Sequence, residues 1–490
     1  MTETNPMETD RTPGLKRVVI DTLTRVEGHG KVTLLLDDEG HVRQARLHIV
    51  EFRGFEKFIQ GRPYWEVPVM VQRLCGICPV SHHLAASKAM DVVVGVDQLT
   101  PTAEKVRRLM HYGQILQSHA LHFFHLSSPD LLFGFDSDVA RRNIVGVAAA
   151  HPDLARRGVL LRKFGQEVIR VTAGKRIHGT GSVPGGVNRS VPPDERRALR
   201  EQCAQVIDWS REAVHLVKRL FAQNLEQYRE FATFPSHSLA LVRADGAMDL
   251  YHGGLRARSA SGETLFDHAD YCDYWERILE DVKPWSYMKF PFLRDIGPGD
   301  GWYRVGPLTR VTSCDFIPSA LAEQERRDFM AFDDGSAARA TLGFHWARMI
   351  EMLHAAEVIA GLLADDDVSG DELMAYGERR RRGVGVLEAP RGTLIHHYRV
   401  DEHDQVVRAN LIVSTTHNNE AMNRAIRAVA QRYLDGRTLT EGLLNHIEVA
   451  VRAFDPCLSC ATHALGKMPL AVELADADGT VIDTLRRDGG

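Results

Sequence analysis

The chain has 490 residues, 44% of them hydrophobic, with 60 basic and 65 acidic side chains and a formal net charge of −5. That length buries a large core, and the balanced charge gives no footprint for nucleic acid or an anionic membrane surface. Seven cysteines are too few and too unevenly placed for a secreted disulfide scaffold, and no run approaches the roughly 18 apolar residues that span a bilayer.

Residues 1–14 are polar and read as a disordered start, with no apolar region of a signal peptide. Val18 to Val50 reads as short strands with a bend at Asp38-Glu-Gly40. From Pro68 to Val171 the pattern turns helical. Thr102 to Leu126 is one long helix, opened by Pro101 and Thr102 with Glu104 in the first turn. Asp194 to Phe231 is a second helical stretch, and Phe234 to Gly306 mixes aromatics with turn residues. Ala337 to Leu363 is helical again, and Gly392 to Arg399 and Val406 to Ser414 are strand-like. Helices over Asn418 to Tyr433 and Thr440 to Arg452 precede a hairpin, Leu470 to Leu485, turning at Asp476-Ala-Asp-Gly-Thr480. An acidic stretch, Ala364 to Glu372, lies close to the basic run Arg379 to Arg382; it reads as a solvated loop, with a protein contact as the other reading. No repeat and no flexible linker interrupts the chain. The expectation is a single α+β body, mainly helical, with small β elements near both ends.

The chemistry concentrates in two Cys-x-x-Cys pairs, Cys75-Gly-Ile-Cys78 and Cys457-Leu-Ser-Cys460, while Cys203, Cys272 and Cys314 stand alone as small core residues. Such spacing turns both sulfurs of a pair inward, so two pairs can hold one metal in a four-thiolate site. Structural zinc sites draw both pairs from a short stretch, whereas here most of the chain lies between them. Soft thiolates suit zinc, copper(I), iron–sulfur and nickel alike, so spacing alone leaves structural zinc, a catalytic metal and coincidence open.

The surroundings narrow this. Arg73-Leu-Cys-Gly-Ile-Cys-Pro-Val-Ser-His82 resembles the first metal-binding motif of nickel–iron hydrogenase large subunits, and Asp455-Pro-Cys-Leu-Ser-Cys-Ala-Thr-His463 resembles the second. Arg25-Val-Glu-Gly-His29, Phe52-Arg-Gly-Phe-Glu56, Glu388-Ala-Pro-Arg-Gly392 and Val413-Ser-Thr-Thr-His-Asn418 are similar to further segments of that family. The resemblance runs from about Val18 to the C-terminal end. Its detail at Glu51 to Glu56, His178 to Gly186 and Gly392 to Tyr398 is most similar to the cytoplasmic, NAD-linked branch.

The resemblance implies reversible heterolytic cleavage of molecular hydrogen. Cys75 and Cys457 would be terminal nickel ligands, and Cys78 and Cys460 would bridge nickel to an iron carrying carbon monoxide and cyanide. Glu27 would receive the proton from the Cys457 sulfur, a base within hydrogen-bond reach of the reacting atoms; without the family it reads as a turn carboxylate paired with Arg25 or His29. Arg391 offers a fixed donor fork over the metals, oriented by Asp130 and Asp455, where an ordinary ion pair is the plainer reading. Pro390 and Thr415 would line the diatomic ligands. His82 could donate to a bridging sulfur or be a satisfied core histidine. Glu56, His463 and the carbonyl of Leu411 would ligate magnesium, although imidazole is an unusual partner for that ion.

Some patterns carry no site. His119, His122 and His125 recur at helical spacing without an evident carboxylate partner and read as core packing. The Gly179-Thr-Gly181 turn has Pro184 where a dinucleotide fingerprint needs glycine, and Gly174-Lys175 lacks the rest of a phosphate loop, so no NAD or flavin site is expected in this chain.

The resemblance also implies that residues 15–463 form the hydrogenase domain and that a maturation endopeptidase removes residues 464–490 after His463, once nickel chaperones have delivered the metal. No further cysteine cluster can hold iron–sulfur centres, so an iron–sulfur small subunit is expected, with a flavin-containing module that reduces NAD and a cytoplasmic location. A zinc protein without turnover, a metal-free quinone-binding relative, and a hydrogenase using a deazaflavin or ferredoxin are the rival readings.

Overall fold

The computed structural model describes residues 16–21, 23–49, 54–283, 286, 288–434, 440–458, 470–475 and 481–487, with the side chains of 16–21, 49, 470–475 and 481–487 left aside. Residues 1–14, the Cys460 to Ala464 segment and the turn at Asp476 to Thr480 therefore lie outside the described residues.

Four long helices form the centre: Pro101–Leu121, Pro152–Ala173, Pro193–Gln223 and Gly343–Ala364. Pro101 begins the first, and Thr100 caps it by accepting the amide of Ala103. Gly343–Ala364 is apolar on nearly every side, as a helix enclosed by others must be, and Phe344, Trp346, Met349, Ile350 and Leu353 are fully buried. Glycine sets the closest crossing. A Cβ at Gly165 would lie 2.7 Å from the carbonyl oxygen of Gly113, so only bare backbone lets those two helices meet.

Sheets lie around this bundle. A five-stranded sheet joins the two ends of the sequence: Lys16–Asp21 sits between Gly30–Leu36 and Leu470–Ala475, with Val42–Ile49 and Val481–Arg487 at the edges. A four-stranded sheet, His237–Val242, Gly254–Arg258, Thr264–Ala269 and Tyr303–Arg304, accounts for much of the stretch that sequence patterning left mixed. A third sheet, Arg382–Ala389, Gly392–Val400 and Val406–Ile412, lies on the helix Pro79–Val93. The contact is intimate: a Cβ at Gly385 would lie 2.1 Å from the carbonyl oxygen of Ala85.

The α+β expectation holds, and the departures from the expected elements are local. The long helix is α-helical to Leu121 and then widens into a π-helix over His122–Ser127. The next stretch breaks at Asn224 into Pro193–Gln223 and Leu225–Glu230. The acidic loop is tied down: Lys105 pairs with Asp365 and Asp367, at 2.7 and 2.5 Å, and Arg196 with Asp366. Among the described residues no helix is long and apolar enough to cross a membrane.

Candidate metal centre

Cys75 follows a short 3-10 helix, Val71–Leu74, in extended conformation, and Cys78 is the N-cap residue of the helix Pro79–Val93. The turn between them aims two amides at one sulfur: Ile77 N and Cys78 N lie 3.3 and 3.1 Å from Cys75 Sγ. Cys457 arrives from the other end of the chain, after the helix Glu441–Ala453. Its amide donates to Thr415 Oγ1 at 3.0 Å. Cys75 Sγ lies 2.9 Å from Cys78 Sγ and 3.1 Å from Cys457 Sγ, and all three cysteines are buried. Cys460 falls outside the described residues.

Glu27 is held to this cluster through its backbone. Glu27 and Cys457 form a parallel β-bridge, and Leu458 N donates to Glu27 O at 2.7 Å. Glu27 is half-buried, and its backbone lies against that of Cys457.

Arg391 occupies the two-residue turn between Arg382–Ala389 and Gly392–Val400 and is buried. Its Nε donates to the carbonyl oxygen of Asp455 at 2.8 Å, Nη2 to Asp455 Oδ1 at 3.1 Å, and Nη1 to Ser118 Oγ at 3.3 Å. Burial disfavours the guanidinium's charge, but Asp455 and the three cysteine side chains outweigh it and raise its pKa well above the ordinary value. Burial pushes the carboxyl of Asp455 up to about 6 against the pull of Arg391 and Arg348.

Asp130 does not orient Arg391, contrary to the sequence expectation. Its carboxylate takes Arg25 at 2.5 Å and Arg452 at 3.0 Å, with Arg142 at 3.4 Å. Arg452 also donates to the carbonyl of Thr24 and to Glu448. Asp130 therefore fastens the segment carrying Glu27 to the helix that leads to Cys457, a positioning role one step further from the metal.

His82, one helical turn beyond Cys78, starts a buried line of rings: His82 Nδ1 lies 3.2 Å from His396 Nε2, and His396 Nδ1 lies 2.6 Å from Tyr398 Oη. Glu56 Oε1 accepts the amide of Leu411 at 2.9 Å and Lys289 Nζ at 3.3 Å. The structure thus brings Glu56 and Leu411 together, with an ammonium alongside, while His463 lies outside the described residues. Pro390 adjoins Arg391, and its carbonyl accepts from Arg310 at 3.3 Å.

Sequence reasoning missed a shell of buried charge behind Arg391. Arg310 donates to Glu351 twice at 2.6 Å and to Glu388 at 2.9 Å. His119 Nε2 lies 3.0 Å from Glu351 Oε2. His119 thus has the carboxylate partner that was not evident in the sequence, supplied by a distant helix. His122 instead meets the carbonyl of Arg452 at 2.8 Å and stacks on His345. The pair readable from spacing lies in the Asp130 network instead: Glu448 and Arg452, four residues apart on one helix.

Three buried sulfurs within hydrogen-bonding contact, two amides aimed at one of them and a buried guanidinium beside them form a donor set suited to a soft divalent metal. Longer than a disulfide bond of about 2.05 Å, these sulfur separations belong to free thiols gathered around one point.

Comparison with known proteins agrees with that donor set. A family model described as nickel-dependent hydrogenase matches residues 53–134 and 250–463, and one described as HoxL-like matches residues 17–52. Over 487 residues the chain is 49% identical to the NAD-reducing hydrogenase HoxS subunit beta of Cupriavidus necator, covering 96% of this chain and 100% of that one. It is 40% identical over 473 residues to an F420-non-reducing hydrogenase subunit of Methanothermobacter marburgensis, covering 95% and 99% of the two chains. The crystal structure of an NAD+-reducing NiFe-hydrogenase in the H2-reduced state is similar with a TM-score of 0.90 at 60% identity, over 93% of this chain and 100% of that one.

Proposed function

Because the chain belongs to the nickel-dependent hydrogenase family, we propose that it is the hydrogen-activating subunit of an NAD-reducing enzyme, with Cys75, Cys78, Cys457 and Cys460 holding a nickel–iron pair. The observation that carries the assignment of ligands is the meeting of Cys75, Cys78 and Cys457 in one buried cluster. In this reading Cys75, Cys78, Cys457 and Cys460 would all hold the pair through their sulfurs. Pro390 and Thr415 would lie beside the carbon monoxide and cyanide that the iron would carry.

When bound, the metal pair supplies a Lewis-acidic centre that polarises molecular hydrogen for heterolytic cleavage. Glu27 takes the proton from the Cys457 sulfur, a role supported by the backbone bridge that seats it beside that cysteine. Arg391 holds a fixed positive charge over the site, and Asp455 fixes its plane from two directions. His82 orients the adjoining sulfur, itself held by His396. Glu56, Leu411 and His463 form a magnesium site that secures the C-terminal end of the mature domain.

Among the described residues the remaining cysteines, Cys203, Cys272 and Cys314, are separate from one another and form no cluster. Electrons therefore leave through a partner subunit bearing iron–sulfur centres, and a flavin-containing module passes them to NAD. A maturation endopeptidase cuts between His463 and Ala464 after nickel chaperones have filled the site, and the assembly works in the cytoplasm.

Infrared spectroscopy of the purified, processed complex, with metal analysis, tests this reading. Carbonyl and cyanide stretching bands with one nickel per chain are expected. Zinc in stoichiometric amount without those bands would overturn the metal assignment.

A further inference from the structure

The third sheet carries three arginines in one cross-strand row. Arg382 lies opposite Arg399, and Arg399 lies opposite Arg408. Direct cross-strand partners face the same side with their Cβ atoms about 4.5–5.5 Å apart, and like charges placed there repel. Arg382 is compensated by Asp273 at 3.0 Å and lies over the ring of Trp275, 4.4 Å from its centroid. Among the described residues Arg399 and Arg408 form no ion pair. Arg399 and Arg408 thus stand side by side as like charges on an exposed face, without a carboxylate of their own.

These arginines line a cavity of about 800 Å³ together with Trp275, Leu279 and Val282. That size falls among the roughly 300–1,000 Å³ of small-molecule sites. Among the described residues Glu280 is the single carboxylate of the lining, and it is engaged by Lys289 and Asn410, at 3.3 and 3.2 Å. Burial, and then the charges of Arg382, Arg408 and Arg399, push the His397 imidazole down to about 4.

We propose that this cavity binds a small molecule carrying a diphosphate group, held along the row by Arg399 and Arg408 with Arg382 at its end. Planar guanidinium forks match phosphoryl oxygens. A row three strands wide spans about 10 Å, more than a single phosphate bridges and suited to two linked ones. The faces of Trp275 are used by Arg382 and by His397, which stacks on it at 5.4 Å, so the site selects for the anion rather than for a stacked ring. Leu279 and Val282, both exposed, offer an apolar flank to whatever organic group the diphosphate carries.

Calorimetric titration of inorganic pyrophosphate into the purified complex, at constant ionic strength, tests the site. Saturable binding at one site per chain is expected, weakened at least about tenfold in Arg399→Gln and in Arg408→Gln. Val282→Glu, a change at an exposed rim position, should weaken binding as well by adding a negative charge. Without ligand, Arg408→Gln should keep or raise the thermal midpoint at low salt, since it relieves repulsion, whereas a purely structural arginine would lower it. Absence of saturable binding, or equal binding by all variants, would overturn the proposal. So would release of a partner subunit from Arg408→Gln with pyrophosphate binding intact, because the row would then be a subunit contact.

Discussion

Arg391 meets Asp455 twice, through the backbone carbonyl at 2.8 Å and through the carboxylate at 3.1 Å. Asp455 makes this double contact from the left-handed region, at φ 53°, a conformation aspartate tolerates better than most residues. Asp455 lies two residues before Cys457, so one turn of chain fixes both the guanidinium and the sulfur below it.

Arg391→Lys keeps the charge and loses the fork. The protein should fold and load metal, while hydrogen turnover falls by about 10- to 100-fold, the worth of one or two charge-assisted hydrogen bonds. Hydrogen-uptake rates beside metal analysis check this, and a near-normal rate would reduce Arg391 to a structural role.

Cys457→Ser removes a soft ligand while leaving the backbone bond from residue 457 to Thr415 in place. The fold, followed by circular dichroism, should survive, and nickel per chain should drop to background. A nickel-loaded, active variant would remove the ligand assignment.

Glu27→Gln preserves the bridge to Cys457, which is made by main-chain atoms. Metal content and the infrared bands should therefore remain, while hydrogen–deuterium isotope exchange is suppressed. Unchanged exchange would rule out the proton relay.

Glu351→Gln probes the buried charge shell. Burial alone would raise the Glu351 carboxyl, but Arg310 and His119 hold it well below the ordinary carboxylate range. A depressed acid stabilises the fold above its unfolded value, about 4.3, and that stability is lost as pH falls below it. His119, pushed down to about 4 mainly by burial, adds a loss of the same sign as pH falls below its unfolded value of about 6.5. The variant should lose about 3 kcal/mol at neutral pH, because Arg310 keeps its charge with one partner fewer. Its denaturation midpoint should also vary less between pH 5 and 3 than that of the parent. Parallel pH profiles would show that Glu351 does not carry the acid sensitivity.

Much of the site was legible because its residues travel in short motifs. Cys75 and Cys78 share a turn, Arg391 and Gly392 share a hairpin, and the hairpin strands Leu470–Ala475 and Val481–Arg487 flank the turn that the sequence marks. What stayed hidden depends on partners brought from far along the chain. Glu351 pairs with His119 across 232 residues and Arg310 pairs with Glu388 across 78, so neither spacing nor periodicity announces them. Asp130 was placed beside the wrong arginine for the same reason: three arginines compete for it, and only packing decides among them. The π-helix at His122–Ser127 leaves no mark in residue type, because the apolar stripe continues through it.

The bridge between Glu27 and Cys457 has a consequence for how the pocket comes into being. It closes a loop of nearly the whole polypeptide, and Arg452 reaches Thr24 across 428 residues beside it. Loop entropy grows only slowly with length, about 0.6 kcal/mol per doubling, so this closure costs only a little more at equilibrium than a much shorter loop would. Its penalty is in time, since contacts so distant in sequence form late. Cys75 and Cys78 can reach their turn early in synthesis, but the wall that Cys457 completes cannot be raised until the chain is nearly finished. The centre is a keystone site, assembled last in a vault whose two sides are already standing.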